Sequence, residues 1–410
     1  MLSSVEQTAG DAGDAERPLD VAAVHHHVAA AALRAGTPGT VGLELERHAV
    51  DLAAPGRRVA WDRLTGALRG VVPPAGSRLT LEPGGQVELS TPPLPGAEAA
   101  VEALRRDAAH VDAVLAADGI ALLSTGTDLV REPVRVNPGS RYAAMAEHFA
   151  AVGHGADGAA MMCSTASLQV NLEAGPPHRW AQRLAHLHRL LPVLAALGAS
   201  SPLLAGRADG TASTRQGVWR RLEPGRCTRP GGGGTDPAGE WAAFALAAPV
   251  MLVRDGEHAP CRPVLEPVTL ADWAGGRRPL HARPPTAADV DLHLSTLWPP
   301  VRLRGFLEVR VLDAVPAAWW PGLAAVVAAL VDDERAADAA AAVLDEAGDH
   351  PVRAAAAVVE AAVPAVPEAL RGCAAAWAEL TAAGRTPADL VTERARRSGP
   401  AACLTAEELR

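Results

Sequence analysis

The stretch LTLEPGGQVELSTPP, Leu79 to Pro93, limits what this chain can fold into more than any other feature of the sequence. Two alternating runs flank a PGG turn, which is the signature of a β-hairpin. In the register that turn sets, Thr80 lies across from Glu88, Glu82 lies across from Gln86, and all four share one face. That face carries no cation. The same pattern recurs in two other segments: GLELERH aligns Glu44, Glu46 and His48 opposite Leu43 and Leu45, and FLEVRVLD aligns Glu308 and Arg310 opposite Leu307 and Val309. A fourth run, SLQVNLE, puts Gln169, Asn171 and Glu173 on one face.

Neighbours two apart on one strand face stand about 7 Å apart. Two unpaired carboxylates at that spacing repel by roughly 2–3 kcal/mol at an effective dielectric near 20. A single such strand is an ordinary solvated sheet face. Three together call for a cation, and the strand segments themselves offer little positive charge. Divalent metal is therefore the economical expectation, and rigid carboxylates suit Mg²⁺, which takes oxygen ligands and leaves positions open for phosphate.

The surrounding pattern predicts an α+β fold. Alternating strands are interrupted by helices at LDVAAVHHHVAAAALRAG, AEAAVEALRRDAAHVDAVLAADG, SRYAAMAEHFAAVG and about 179–198, and the chain is helical from about Ala317 onward. MMCSTASLQVNLEAG reads as one strand, and DLHLSTLWPPVRLRGFLEVRVLDAVP supplies another. The expected divisions are a disordered segment at 1–17, a catalytic region at 18–316, and a helical C-terminal region at 317–410 packed on it. No GxGxxG follows a strand and no GK[ST] closes the glycine-rich segment Cys227–Gly239, so dinucleotide and P-loop folds are not expected.

Composition narrows the function. A formal charge of −9 argues against nucleic acid or an anionic membrane as partner, and arginine carries all the fixed positive charge because the chain has no lysine. Five scattered cysteines form no CxxC pair, which argues against a disulfide framework or a zinc site. The acidic start lacks a secretory h-region and no run approaches a membrane span, so a cytoplasmic protein is expected. Consecutive histidines at 25–27 point in different directions on a helix and are expected to be partly exposed, not metal ligands.

GLELERH, LEPGGQVELSTPP, RYAAMAEHF, MMCSTASLQVNLE and RGFLEVRVLDAVP, in that order from about Val41 to Pro316, resemble the glutamate–cysteine ligases. The resemblance is to the group shared by plants and many bacteria, including actinobacterial ligases that feed ergothioneine synthesis. It implies a glutamine-synthetase-like curved antiparallel sheet flanked by helices, holding Mg²⁺ and ATP. It also implies phosphorylation of the glutamate γ-carboxylate followed by displacement of phosphate by the cysteine amine. Carried over to matching positions, Glu44, Glu46, Glu82, Glu88 and Glu308 are the expected metal ligands, and Glu308 with Arg310 the expected catalytic pair. Gln169 and Arg310 are expected to bind nucleotide, and Arg215 and Arg226 to fork a glutamate carboxylate. Glutamate and cysteine are the implied substrates, and oligomeric state is left open. A ligase using a different amine, or a silent homologue that binds nucleotide or a partner, are the alternatives.

Overall fold

A computed structural model describes residues 17–231, 233–256, 259–348 and 350–409. The expected disordered segment 1–17 lies outside them except for Arg17. The main sheet is built from β1 (Thr40–Asp51), β2 (Arg78–Leu81), β3 (Gln86–Ser90), β4 (Leu94–Pro95), β5 (Ile120–Leu123), β6 (Ser167–Glu173), β9 (Val301–Leu303) and β10 (Phe306–Asp313). Two further strands, β7 (Leu252–Val253) and β8 (Arg262–Pro263), form a separate ribbon. The order is β2-β3-β1-β6-β10-β9, with β4 and β5 also on β1, and every pairing is antiparallel.

Twelve residues long, β1 pairs with four other strands, and its alternation decides which of its side chains point to each face of the sheet. Leu43 and Leu45 join Val87, Leu89, Leu168, Val170, Leu172, Leu307 and Val309 in the principal core. Helices Gly96–Ala117, Trp180–Leu197 and Trp320–Asp332 pack beneath that apolar face. The last of these is buried along its whole length from Trp320 to Val331, so the C-terminal helices share the sheet's core. With the other face left to polar residues, the architecture is α+β: an antiparallel sheet with helices against it.

The hairpin register is the one expected, with Thr80 paired to Glu88 and the Glu82 N–H donating to the Gln86 carbonyl at 2.9 Å. Two local readings change. MMCS belongs to helix Gly155–Ser164, and the strand begins only at Ser167. Its four residues alternate no better than they follow a helical period, so a short apolar run gave no means of telling them apart. VRLRGFLEVRVLD is a hairpin, not one strand: Gly305 at φ 82° turns the chain and sets Arg302 opposite Glu308. Among the described residues no helix is long and apolar enough to cross a membrane.

Candidate active site

The polar sheet face opens into a cavity of about 260 Å³, near the lower end for small-molecule sites. Its lining divides by charge. Glu44 and Glu46 of β1, Glu88 of β3 and Glu82 in the turn form an acidic half, edged by Arg78 at 4.0 Å from Glu88 and by Arg141, and Arg215, Arg302, Arg304 and Arg310 form a cationic half. Cross-strand register brings the acids together, since Glu46 is paired with Glu88.

The acids repel one another as their spacing requires. Glu46 is pushed up to about 7, by burial first and then by Glu88, even though Ser167 donates to it through its backbone N–H at 2.8 Å and its hydroxyl at 3.0 Å. Glu44 is also pushed up to about 7, by burial, Glu308 and Glu88, against a 3.1 Å hydrogen bond from Asn171. Glu82 is raised well above the carboxylate range by burial, Glu88 and Glu46. Arg78, 4.0 Å from Glu88, together with Arg310, Arg215 and Arg141, compensates these carboxylates only in part, and a divalent ion would release the protons they hold. Among the described residues no three acidic, histidine or cysteine side chains make a ready-made metal cage. An all-oxygen set of this kind fits Mg²⁺, which takes one or two carboxylates and fills its octahedron with water and phosphate oxygens.

Glu308 does not join this set. Its carboxylate is fully buried and accepts four bonds: from Arg302 Nε at 2.5 Å and Nη2 at 2.8 Å, from Arg304 Nη1 at 3.2 Å, and from Arg310 Nη1 at 3.0 Å. Against the cost of burial, the arginines hold it well below the usual carboxylate range. Four donors use the four lone-pair sites of the carboxylate, so in this arrangement Glu308, expected as a metal ligand, serves as an arginine hub. Where the strand segments were expected to offer little positive charge, three guanidinium groups share this one carboxylate.

Arg310 reaches across the divide. Burial opposes its charge, yet Glu308, Glu44 and Glu46 raise its pKa above the usual value, and its Nη1 donates to Gln169 Oε1 at 2.5 Å. The Gln169 amide in turn donates to Glu46 at 3.4 Å, so it bridges the cationic and acidic halves.

The two arginines expected to bind substrate part company. Arg215, on helix Thr214–Arg221, lines the cavity with its guanidinium 5.9 Å from the Trp219 ring. Its Nη2 donates to the Arg310 carbonyl at 3.0 Å and its Nη1 lies 3.7 Å from Asp313 Oδ1, an ion pair too long for a hydrogen bond, so Nε and Nη1 are buried without a hydrogen-bond acceptor. Buried donors of that kind mark a place for an anion. Arg226 is fully enclosed elsewhere, donating to Glu223 at 2.6 Å, the Thr296 carbonyl at 3.1 Å and the Pro249 carbonyl at 2.9 Å. It is held as a structural strut, and the structure does not bring it to the cavity with Arg215.

Three features escaped the sequence pattern. Arg302 and Arg304 were legible as alternating arginines before a glycine turn. Asp313 closes the same strand and accepts from the Ser200 N–H at 3.0 Å, Ser201 Oγ at 2.6 Å and Ser213 Oγ at 2.9 Å, fixing the start of the helix that carries Arg215. Gln86 clamps the hairpin tip: its Oε1 accepts from Gly84 N–H at 2.9 Å, and its Nε2 donates to the carbonyls of Met162 at 3.2 Å and Thr165 at 2.8 Å. A larger cavity of about 440 Å³ lies between helices Trp180–Leu197 and Glu334–Ala347. There Arg183 pairs with Asp332 and Arg179 with Glu334, so charge is compensated rather than separated.

Comparison with known proteins follows the same lines. The family model described as glutamate-cysteine ligase family 2 matches residues 40–407. The glutamate–cysteine ligase EgtA of Mycolicibacterium smegmatis is 50% identical over 317 residues, 77% of this chain and 74% of that one. EgtA of Mycobacterium tuberculosis is 45% identical over 342 residues, 83% and 79% of the two chains. A crystal structure of glutamate–cysteine ligase from Francisella tularensis, in complex with AMP, aligns over 90% of this chain and 87% of that one, with a TM-score of 0.50 and 12% identity. At that identity the likeness is one of fold.

Proposed function

The chain belongs to glutamate–cysteine ligase family 2, and from that premise we propose that its charge-divided cavity is the site at which glutamate and cysteine are joined. It is an ATP-dependent ligase that forms γ-glutamylcysteine, and its likeness to the mycobacterial enzymes supports a place for that product in ergothioneine synthesis in the cytoplasm. Carrying the reading is the coexistence, in one cavity, of carboxylates in want of a cation and arginines in excess of carboxylates.

The reaction has two steps. The glutamate γ-carboxylate oxygen attacks the terminal phosphorus of ATP, giving γ-glutamyl phosphate and ADP. The cysteine amine then attacks the acyl carbon, loses a proton, and phosphate leaves. Glu44, Glu46, Glu82 and Glu88 would hold Mg²⁺, which when bound neutralises phosphate charge. Arg310, held rigid between Glu308 and Gln169, presents a planar cation to the transferring phosphoryl group, and Arg302 and Arg304 extend that field. Arg215, paired with Asp313 at 3.7 Å, offers the N–H groups that lack a hydrogen-bond acceptor to a substrate carboxylate. Gln169 stays with the nucleotide through Arg310, to which it is bonded, and not as a metal ligand.

Purified protein incubated with MgATP, glutamate and a panel of amines tests this. ADP release that requires both glutamate and cysteine, with a product of the mass of γ-glutamylcysteine, is the expected result. Turnover with another amine and none with cysteine would overturn it.

A further inference from the structure

Methionine is scarce in this chain: five residues in 410, one of them Met1. The other four, Met145, Met161, Met162 and Met251, all lie in one hydrophobic cluster, which also holds Cys163 and Cys261. Three of them, Met145, Met161 and Met162, line the charge-divided cavity beside Trp219 and Trp298. Helices Ser140–Ala151 and Gly155–Ser164 supply them, and the Gln86 clamp on the Met162 carbonyl ties this wall to the acidic hairpin. Trp219 and Trp298 meet edge to face with centroids 5.9 Å apart, and Phe149 backs Trp298 at 6.3 Å.

Apart from Pro83 and the Tyr142 ring, the remaining lining is charged or neutral polar, so this is the cavity's one broad apolar patch among the described residues. Thioethers and rings offer dispersion and weak contacts to sulfur, but a hydroxyl placed against them loses its water and gains no strong partner. The protein's own thiols here do not compete as nucleophiles: burial pushes Cys163 up to about 11 and Cys227 up to about 12, leaving both neutral.

We propose that the Met145–Met161–Met162 wall, with Trp219 and Trp298, receives the side chain of the amine substrate and selects a thiol over a hydroxyl. The inference rests on the reading of the cavity as the ligation site. It assigns Met161, at 8% exposure the most accessible of the three, as a specificity-determining residue.

Acceptor kcat/KM for cysteine, serine and alanine, at saturating glutamate and MgATP, is the test. The wild type should favour cysteine over serine by about 10²-fold, the scale on which an apolar pocket rejects an added polar group. Met161→Gln, which puts an amide on the wall, should lower that ratio about tenfold through the acceptor KM, with KM for ATP and glutamate within about twofold of wild type. Met161→Leu, similar in volume, should keep the ratio within about threefold. If Met161→Gln does not fold, Met145→Gln is expected to give the same shift. A folded Gln variant with an unchanged ratio overturns the inference, as does a change confined to KM for ATP, which would place the purine on this wall. Absence of turnover with every acceptor overturns the reading of function itself, whereas turnover with an unchanged ratio overturns only this one.

Discussion

Replacing Glu308 with glutamine separates two roles that a loss of activity alone would confuse. As a metal ligand, Glu308 would be dispensable for folding, and its loss would be felt only when magnesium is present. As the hub described here, it neutralises Arg302, Arg304 and Arg310 inside the protein. Arg302 is only 9% exposed and burial opposes its charge, so without this carboxylate that charge would lie buried and uncompensated. Glutamine keeps one acceptor oxygen and turns the other position into a donor facing guanidinium N–H groups. Removing one partner of a buried ion pair costs about 3–5 kcal/mol. With an unfolding entropy of about 2.1 cal/mol/K per residue, a chain of this length should lose roughly 4–6 °C in Tm. The assay is thermal unfolding of Glu308→Gln and wild type in EDTA, where no metal contributes. Equal transitions in EDTA, together with loss of the stabilisation that magnesium gives the wild type, would refute the hub and restore Glu308 as a ligand.

Further outcomes follow from neighbouring contacts. Arg215→Ala should raise KM for glutamate by about 10–10²-fold, the worth of a charge-assisted bond of about 1.5–3 kcal/mol. Arg226→Ala should instead cost about 3–5 kcal/mol in urea unfolding with KM within about twofold of wild type, because it breaks the buried pair with Glu223. Gly84→Ala should destabilise the fold by about 1–3 kcal/mol and slow turnover, since a Cβ there would lie 2.1 Å from the Cys163 carbonyl oxygen and force the hairpin tip away. His293, fully buried, is pushed down to about 4, by burial first and then by Arg226. The unfolded chain takes up that proton below about pH 6.5 while the native state does not, so its contribution is complete above pH 6.5 and lost as pH falls toward 4. His293→Gln should therefore flatten the fall in urea stability between pH 7 and pH 5 by about 2 kcal/mol.

Strand alternation makes the acidic face legible in the sequence itself, because period two puts Glu44, Glu46 and Glu88 on one side whatever the sheet's order. The PGG turn likewise sets the Thr80–Glu88 register. What alternation does not carry is who sits across from whom on non-adjacent strands. Glu308 has the pattern of another member of the acidic row, and only the Gly305 turn, which folds Arg302 back onto it, shows that its charge is already spent. Arg226 fails for a different reason. Two arginines eleven positions apart look alike in sequence, while one faces the cavity and the other is ringed by Glu223, Thr296 and Pro249, a contact set drawn from distant segments. The methionine wall is hidden because MMCS reads as strand and the wall's members lie on two helices.

The acidic half of the cavity should hold the divalent ion while the arginine half faces the phosphates. The most direct test is a crystal structure with Mn²⁺ and a non-hydrolysable ATP analogue, the metal located by anomalous scattering. Manganese is expected on carboxylates of the Glu44, Glu46, Glu82 and Glu88 set, with phosphate oxygens turned toward Arg310. Manganese bound away from those four, or phosphates lying on the far side of the sheet, would contradict it.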